Sequence, residues 1–198
     1  MKKARIAVLL VAAVLSLTPA AGCRKNKKPI EKSSSASAYA DISEVGKNKV
    51  DVKLEEKAEV NETSFRVNRV INSGRVKDGL KYIYLDVTIK NTSSDNYEIN
   101  PLNNFYLILP DKSEVLTDVR ADIYAKQAME GYEPITEVKA GAEVSAYIGF
   151  AIDESVSDFT ACFFPTGTAD DKSNVIRCDV KASDIISAPD GMFKETAE

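Results

Sequence analysis

Cys162 and Cys178 are the two residues whose type and spacing best suit a chemical role. They sit in two β-patterned runs, residues 159–164 and 174–180, joined by a loop rich in turn residues. A hairpin centred near Ala169-Asp170 would set Cys162 opposite Cys178, and Phe164 opposite Ile176. Opposed residues lie near enough for a disulfide, which would contribute roughly 3 kcal/mol. The alternative is a pair of buried free thiols. Zinc does not fit, because two cysteines in a chain without histidine leave the ligand set incomplete. The missing histidine also removes the usual general base near neutral pH and the middle member of Ser-His-Asp and Cys-His arrangements. The acids Asp153, Glu154 and Asp158, and the pair Asp170-Asp171, lack the spaced Asp/Asn pattern and central glycine of a calcium loop, so they read as solvated loops. No metal or other cofactor is implied. Tyr82 and Tyr84 are the remaining candidates, as an exposed interaction surface. Their alternative is a central strand covered on both faces.

These residues need elements to hold them. The stretch 80–93, LKYIYLDVTIKNTS, alternates strictly. Ile83, Leu85, Val87 and Ile89 form an apolar face, while Tyr82, Tyr84, Asp86, Thr88 and Lys90 form the other. Residues 144–152 alternate as regularly, with Val144, Ala146, Ile148, Phe150 and Ile152 in register. Weaker strand patterns cover 50–55, 65–71, 97–101 and 105–109. The second of these places Phe65, Val67 and Ile71 on one face. Residues 118–130 break the β pattern: they contain no Gly or Pro, space Val119 and Ile123 four apart, and begin at Asp118, a capping residue. They predict a short helical insert. The tail from Ala188 is polar apart from Met192 and Phe193 and is expected to fray. Short strands, frequent turns and one helical insert predict an all-β, antiparallel sandwich.

The amino terminus carries an address. Lys2, Lys3 and Arg5 precede an apolar run over residues 6–17, and small residues then lead into Cys23. The run is short for a bilayer span, which needs roughly 20 apolar residues, and suits a signal peptide. The ending resembles a bacterial lipobox, with Ala20 where Leu is usual. That resemblance implies cleavage before Cys23 and attachment of diacylglycerol to its sulfur. The alternative is ordinary secretion with a free Cys23. Arg24, Lys25, Lys27, Lys28 and Lys32 follow within ten residues, suited to anionic head groups. A Ser/Ala-rich stretch then reads as a flexible tether. The expected organisation is a signal peptide over 1–22, a lipidated tether over 23–45, a β-sandwich over 46–187 and a tail over 188–198. Without Lys2, Lys3 and Arg5 the chain has 23 basic and 30 acidic residues, a net −7. That balance argues against nucleic acid as a partner.

The order of strand motifs carries a further resemblance. Phe65-x-Val-x-x-Val precedes Tyr82-x-x-Leu-Asp-Val-Thr-Ile-Lys-Asn-Thr-Ser. Phe105-Tyr-Leu follows, then the Ala140-Gly141 turn into Val144-x-Ala-x-Ile-x-Phe, and a strand end at Phe164-Pro165. This order resembles a bacterial domain-of-unknown-function family of secreted proteins and lipoproteins. The family's immunoglobulin-like sandwich is similar to that of the mycobacterial secreted immunoprotective antigen. The resemblance implies an immunoglobulin-like fold and an extracytoplasmic location on the bacterial membrane, and supplies no catalytic residues. The expectation is a non-catalytic interaction module, anchored through Cys23, with an extracellular protein or glycan partner. Two other readings stand beside it: an envelope enzyme or enzyme accessory, and a ligand-binding lipoprotein of a transporter.

Overall fold

The computed structural model describes residues 44–194. The signal peptide over 1–22, Cys23, the tether up to residue 43 and the last four residues lie outside the described residues. Among the described residues no helix is long and apolar enough to cross a membrane.

The described residues form these strands and α-helices in order: β1 (Asn48–Val52), β2 (Ala58–Val60), β3 (Thr63–Lys77), β4 (Leu80–Asn91), β5 (Tyr97–Glu98), α1 (Pro101–Asn104), β6 (Phe105–Ile108), β7 (Glu114–Leu116), α2 (Val119–Ala128), β8 (Glu137–Val138), β9 (Glu143–Asp153), β10 (Phe159–Phe163), β11 (Asn174–Val180) and β12 (Ile185–Ser187). One sheet runs β1-β11-β10-β6-β7. The other runs β12-β3-β4-β9, with β2 also on β3. β5 and β8 form a separate ribbon. The pairing is antiparallel except at two edges, where β1 joins β11 and β12 joins β3 in parallel. This is the sandwich the alternation predicts, and two of the strands at its sheet edges run parallel.

The main core lies between the sheets. Ile83, Leu85, Val87 and Ile89 of β4 meet Ile148, Phe150 and Ile152 of β9 and Leu107, Phe163 and Ile176 of the facing sheet. Phe65 stacks on Phe163 at 4.4 Å, and Phe105 packs against Phe163 at 4.7 Å. Such offset ring pairs add to simple area burial.

β4 is buried on its second face too. Tyr82 and Tyr84 are 4% and 0% exposed, so they form no surface. α2 lies over them, and the Tyr84 hydroxyl donates to the Ala121 carbonyl at 2.6 Å. Together with Ile71, Ala121, Ala125, Met129 and Ala151 they make a second apolar cluster. Asp118 caps α2 by accepting from the Arg120 amide at 2.7 Å, as its residue type predicts. The helix turns its alanines inward and leaves Val119 and Ile123 exposed, the reverse of a face built on those two. Small residues are needed because the approach is close: a Cβ on Gly149 of β9 would meet Ala121 Cβ and Tyr84 Cε1, each at 3.0 Å.

Two further expectations change. Phe65 and Val67 face the main core, yet Ile71 joins the second cluster and Val70 takes its place. The pairing with β4 shifts between Val67 and Arg69, a bulge that reverses the alternation beyond it. The segment after Ala188 is held rather than frayed up to Lys194. Phe193 stacks on Tyr124 at 5.5 Å and packs on Tyr84 at 5.2 Å, and the Lys194 amide donates to the Ala128 carbonyl.

The cysteines do not face each other. In the β10–β11 hairpin Cys162 pairs with Arg177, and Cys178 with Ala161. A register one residue away from the symmetric one turns Cys162 outward while Cys178 points into the core. The cause lies in the connection, which tightens into a 3₁₀ turn at Gly167–Ala169 and leaves it through a left-handed Asp170. Both thiols are free and buried. Burial pushes Cys162 up to about 12 and Cys178 up to about 11 from the ordinary 9.0, with a hydrogen bond from Tyr106 acting against burial at Cys162.

Two measurements check this packing. Phe193→Ala should cost about 1–3 kcal/mol in chemical denaturation, because it uncaps the second cluster. Thiol reagents at pH 8 should leave Cys162 and Cys178 of the native protein unlabelled and titrate both once it unfolds. The unfolded chain releases its thiol protons near 9.0 while the folded chain retains them. Stability should therefore be full below that pH and fall as pH rises through the folded values, less steeply in Cys162→Ala.

Candidate interaction surface

The two outer faces of the sandwich differ. On the sheet of β3, β4 and β9, α2 and the segment 188–194 cover one part, and a polar network occupies another. There Arg69 Nε donates to Asp86 at 2.6 Å, and Asn68 donates to Asp86 at 2.9 Å and to Thr88 at 3.0 Å. The bulge at Asn68 brings these groups side by side. Asp86 is 8% exposed, and a buried carboxylate is tolerated only when paired and hydrogen-bonded in this way. Arg69 also reaches the Tyr147 hydroxyl at 3.5 Å.

The opposite sheet presents a cross-strand row: Asp51, Arg177, Cys162, Tyr106 and Leu116 are successive partners across five strands. Arg177 Nε donates to Asp51 at 2.7 Å, which lowers the Asp51 carboxyl below its ordinary range. Burial pushes the Tyr106 phenol up, so it stays protonated beside Cys162. Tyr106 stacks on Phe164 at 5.3 Å. Nothing in this row pairs a thiolate with a base.

Cys162 and Cys178 thus lie on different faces, Tyr82 and Tyr84 lie inside, and Cys23 lies outside the described residues. No three of His, Cys, Asp or Glu gather as a metal site among the described residues. Asp153, the last residue of β9, accepts from the Ser155 hydroxyl and amide, and Asp171, in the loop before β11, accepts from the Ser173 amide at 2.8 Å and its hydroxyl; these bonds lower both carboxyls.

A cleft that the residue patterns do not announce lies where the two helices meet β9. Its volume is about 210 Å³. Pro101 and Leu102 of α1, Val119 and Asp122 of α2, Tyr147 to Gly149 of β9, and Tyr132 with Pro134 to Thr136 of the following loop line it. Each wall has a local cause. Asn100 caps α1 by accepting from the Leu102 amide at 3.1 Å, and Pro101 takes the first helical position, where its missing N–H costs nothing. The Asp118 amide donates to the Gly149 carbonyl at 3.1 Å and pins the start of α2 to β9. The Tyr132 hydroxyl donates to the Asp122 carboxylate and fixes the loop against the helix. Burial, reinforced by that carboxylate, pushes the Tyr132 phenol up, so it remains a donor.

Two large apolar side chains of this cleft stand in the open, Leu102 at 55% exposed and Val119 at 68%. Ile123, one turn along α2 from Val119, is 50% exposed, and Leu116 at the end of β7 is 57% exposed. Leu102 also lines the neighbouring hollow over the opposite sheet, with Leu116, Tyr106 and Phe164. The one sequence signal for this surface was the helical insert, whose Val119 and Ile123 are too exposed to be core.

Several solved structures are similar to part of this chain. The ycdA protein of Bacillus subtilis is 14% identical at a TM-score of 0.47; the match covers 65% of this chain and 39% of that one. The yjhA protein of Bacillus subtilis is 18% identical at 0.47, covering 64% of this chain and 99% of that one. The secreted protein MPT63 of Mycobacterium tuberculosis is 8% identical at 0.44, covering 67% and 98%. This chain thus spans 39% of the length of the first of them. No curated protein matches it in sequence. Residues 52–173 match the family described as Domain of unknown function (DUF4352), and they run from the end of β1 to the loop before β11. The motif order read from the strands and this match over more than half of the chain agree: the protein belongs to the DUF4352 family.

Proposed function

We propose that the protein is an extracytoplasmic interaction module, without catalytic activity of its own, tethered to the bacterial membrane by a lipid on Cys23. The observation that carries the reading is the exposure of Leu102 and Val119 on the cleft, with Leu116 beside Leu102 in the adjoining hollow and Ile123 one helical turn from Val119. Large side chains left in water on an otherwise charged protein mark contact sites when they gather. The cleft of about 210 Å³ is smaller than the roughly 300–1,000 Å³ of sites that enclose a whole ligand. It suits one group of a partner, with the apolar rim supplying further contact area. An envelope enzyme would need a nucleophile or base facing a substrate, whereas Cys162 is buried and protonated beside Tyr106. The anchor rests on the sequence up to Cys23 and on the basic residues after it. An extracellular protein or glycan is the partner class this surface would meet at the end of the tether.

Two experiments test the reading. The intact mass of the protein taken from membranes should equal a chain starting at Cys23 with diacylglycerol attached; an unmodified mass starting at Ala21 or Arg24 refutes the anchor. A photo-crosslinking residue at Leu102 or Val119 of the full chain in cells should give a discrete adduct that the same residue at Lys77 does not. Equal labelling from all three positions refutes the surface.

A further inference from the structure

We infer that the cleft between α1, α2 and β9 binds the ammonium group of a small organic cation. This rests on the proposed interaction reading and names the chemistry of the site at its centre. Charge is the first argument. Two carboxylates line the cleft, Asp118 and Asp122, and no lysine or arginine does. Asp118 is neutralised: Arg120 meets it at 2.6 Å. Asp122 is half-buried, and its carboxylate has the Tyr132 hydroxyl as a partner and no cation among the described residues. A half-buried anion with one neutral donor retains acceptor capacity that a positive ligand would satisfy. Anionic ligands are disfavoured by the same Asp122.

The walls supply the second argument. Tyr132 and Tyr147 both line the cleft. Tyrosine rings attract ammonium groups through the ring quadrupole, and such rings beside a carboxylate are how alkylammonium ions are held. Pro101, Leu102, Val119 and Ile135 complete an apolar wall that suits the methyl or methylene groups around such a nitrogen. Size is the third argument. At roughly 30 Å³ per water-sized group, the cleft has room for about seven heavy atoms. That is the size of a quaternary or short alkyl ammonium.

The test uses choline chloride and 3,3-dimethyl-1-butanol, its uncharged carbon counterpart, titrated into the isotopically labelled full-length protein in detergent micelles and followed by NMR. Choline should shift the amides of Val119, Tyr132 and Gly149 saturably, with at least about tenfold tighter binding than the neutral alcohol. Asp122→Asn should weaken choline by about tenfold and leave the alcohol unchanged. Tyr132→Phe, which removes the hydrogen bond but retains the ring and the acid, should leave choline binding within a few-fold; its well-dispersed spectrum guards against a variant that merely fails to fold. Equal binding of choline and the alcohol, no saturable shift at these residues, or an unchanged choline affinity in Asp122→Asn would overturn the inference. Glycerophosphocholine identifies the source: weaker binding than choline assigns a free cation, and equal or tighter binding assigns a lipid head group. Crosslinks from Leu102 that persist without choline binding would sink the cation site alone. Choline binding without crosslinks would retain it and sink the wider contact surface.

Discussion

Burial of β4 on both faces is the constraint on which the rest of the structure depends. A strand with one wet face could stand at the surface of a sandwich; this one cannot, because Tyr82 and Tyr84 occupy the face away from the core. Two tyrosine side chains bring large apolar area and a phenol that must be satisfied when buried. The Ala121 carbonyl of α2 receives the Tyr84 hydroxyl, and the helix backbone comes close enough because Gly149 and Ala121 carry so little side chain. The segment with Met192 and Phe193 completes the cover. The helical insert is therefore part of the folding unit rather than a decoration between strands.

That same insert builds the candidate site. Seating α2 on β9 fixes Asp118 against Gly149, brings Val119 and Asp122 beside Tyr147, and leaves the outward helix face in water. A wall is also needed from the loop at Tyr132, which the Asp122 carboxylate holds. The interior alanines and the exposed Val119 and Ile123 are two sides of one arrangement: close approach requires small residues inward, so the larger apolar ones are left facing out. The cost of their exposure is what makes the surface worth assigning to a partner.

The strand alternation made the sandwich, the family motifs and the helix legible in the sequence, because period two and a capping Asp118 are local signals. What was not legible depends on shifts of one residue. The bulge near Asn68 moves Ile71 to the second cluster, and nothing in Phe65-Arg-Val-Asn-Arg-Val marks it. The hairpin register that separates Cys162 from Cys178 is set by the 3₁₀ turn and the left-handed Asp170, which a symmetric loop centre ignores. Tyr82 and Tyr84 carry amphipathic rings that fit a surface or a covered face equally well. Only the long-range docking of α2 decides between them. The cleft has no motif because its walls come from four separate segments.

Hydroxyl-radical footprinting of the native protein, read residue by residue by mass spectrometry, tests the double burial of β4 most directly. Tyr84 should be protected to the level of the core residues Ile83 and Leu85, while Leu102 and Val119 are oxidised readily. Oxidation of Tyr84 at the rate of those exposed side chains would contradict the account.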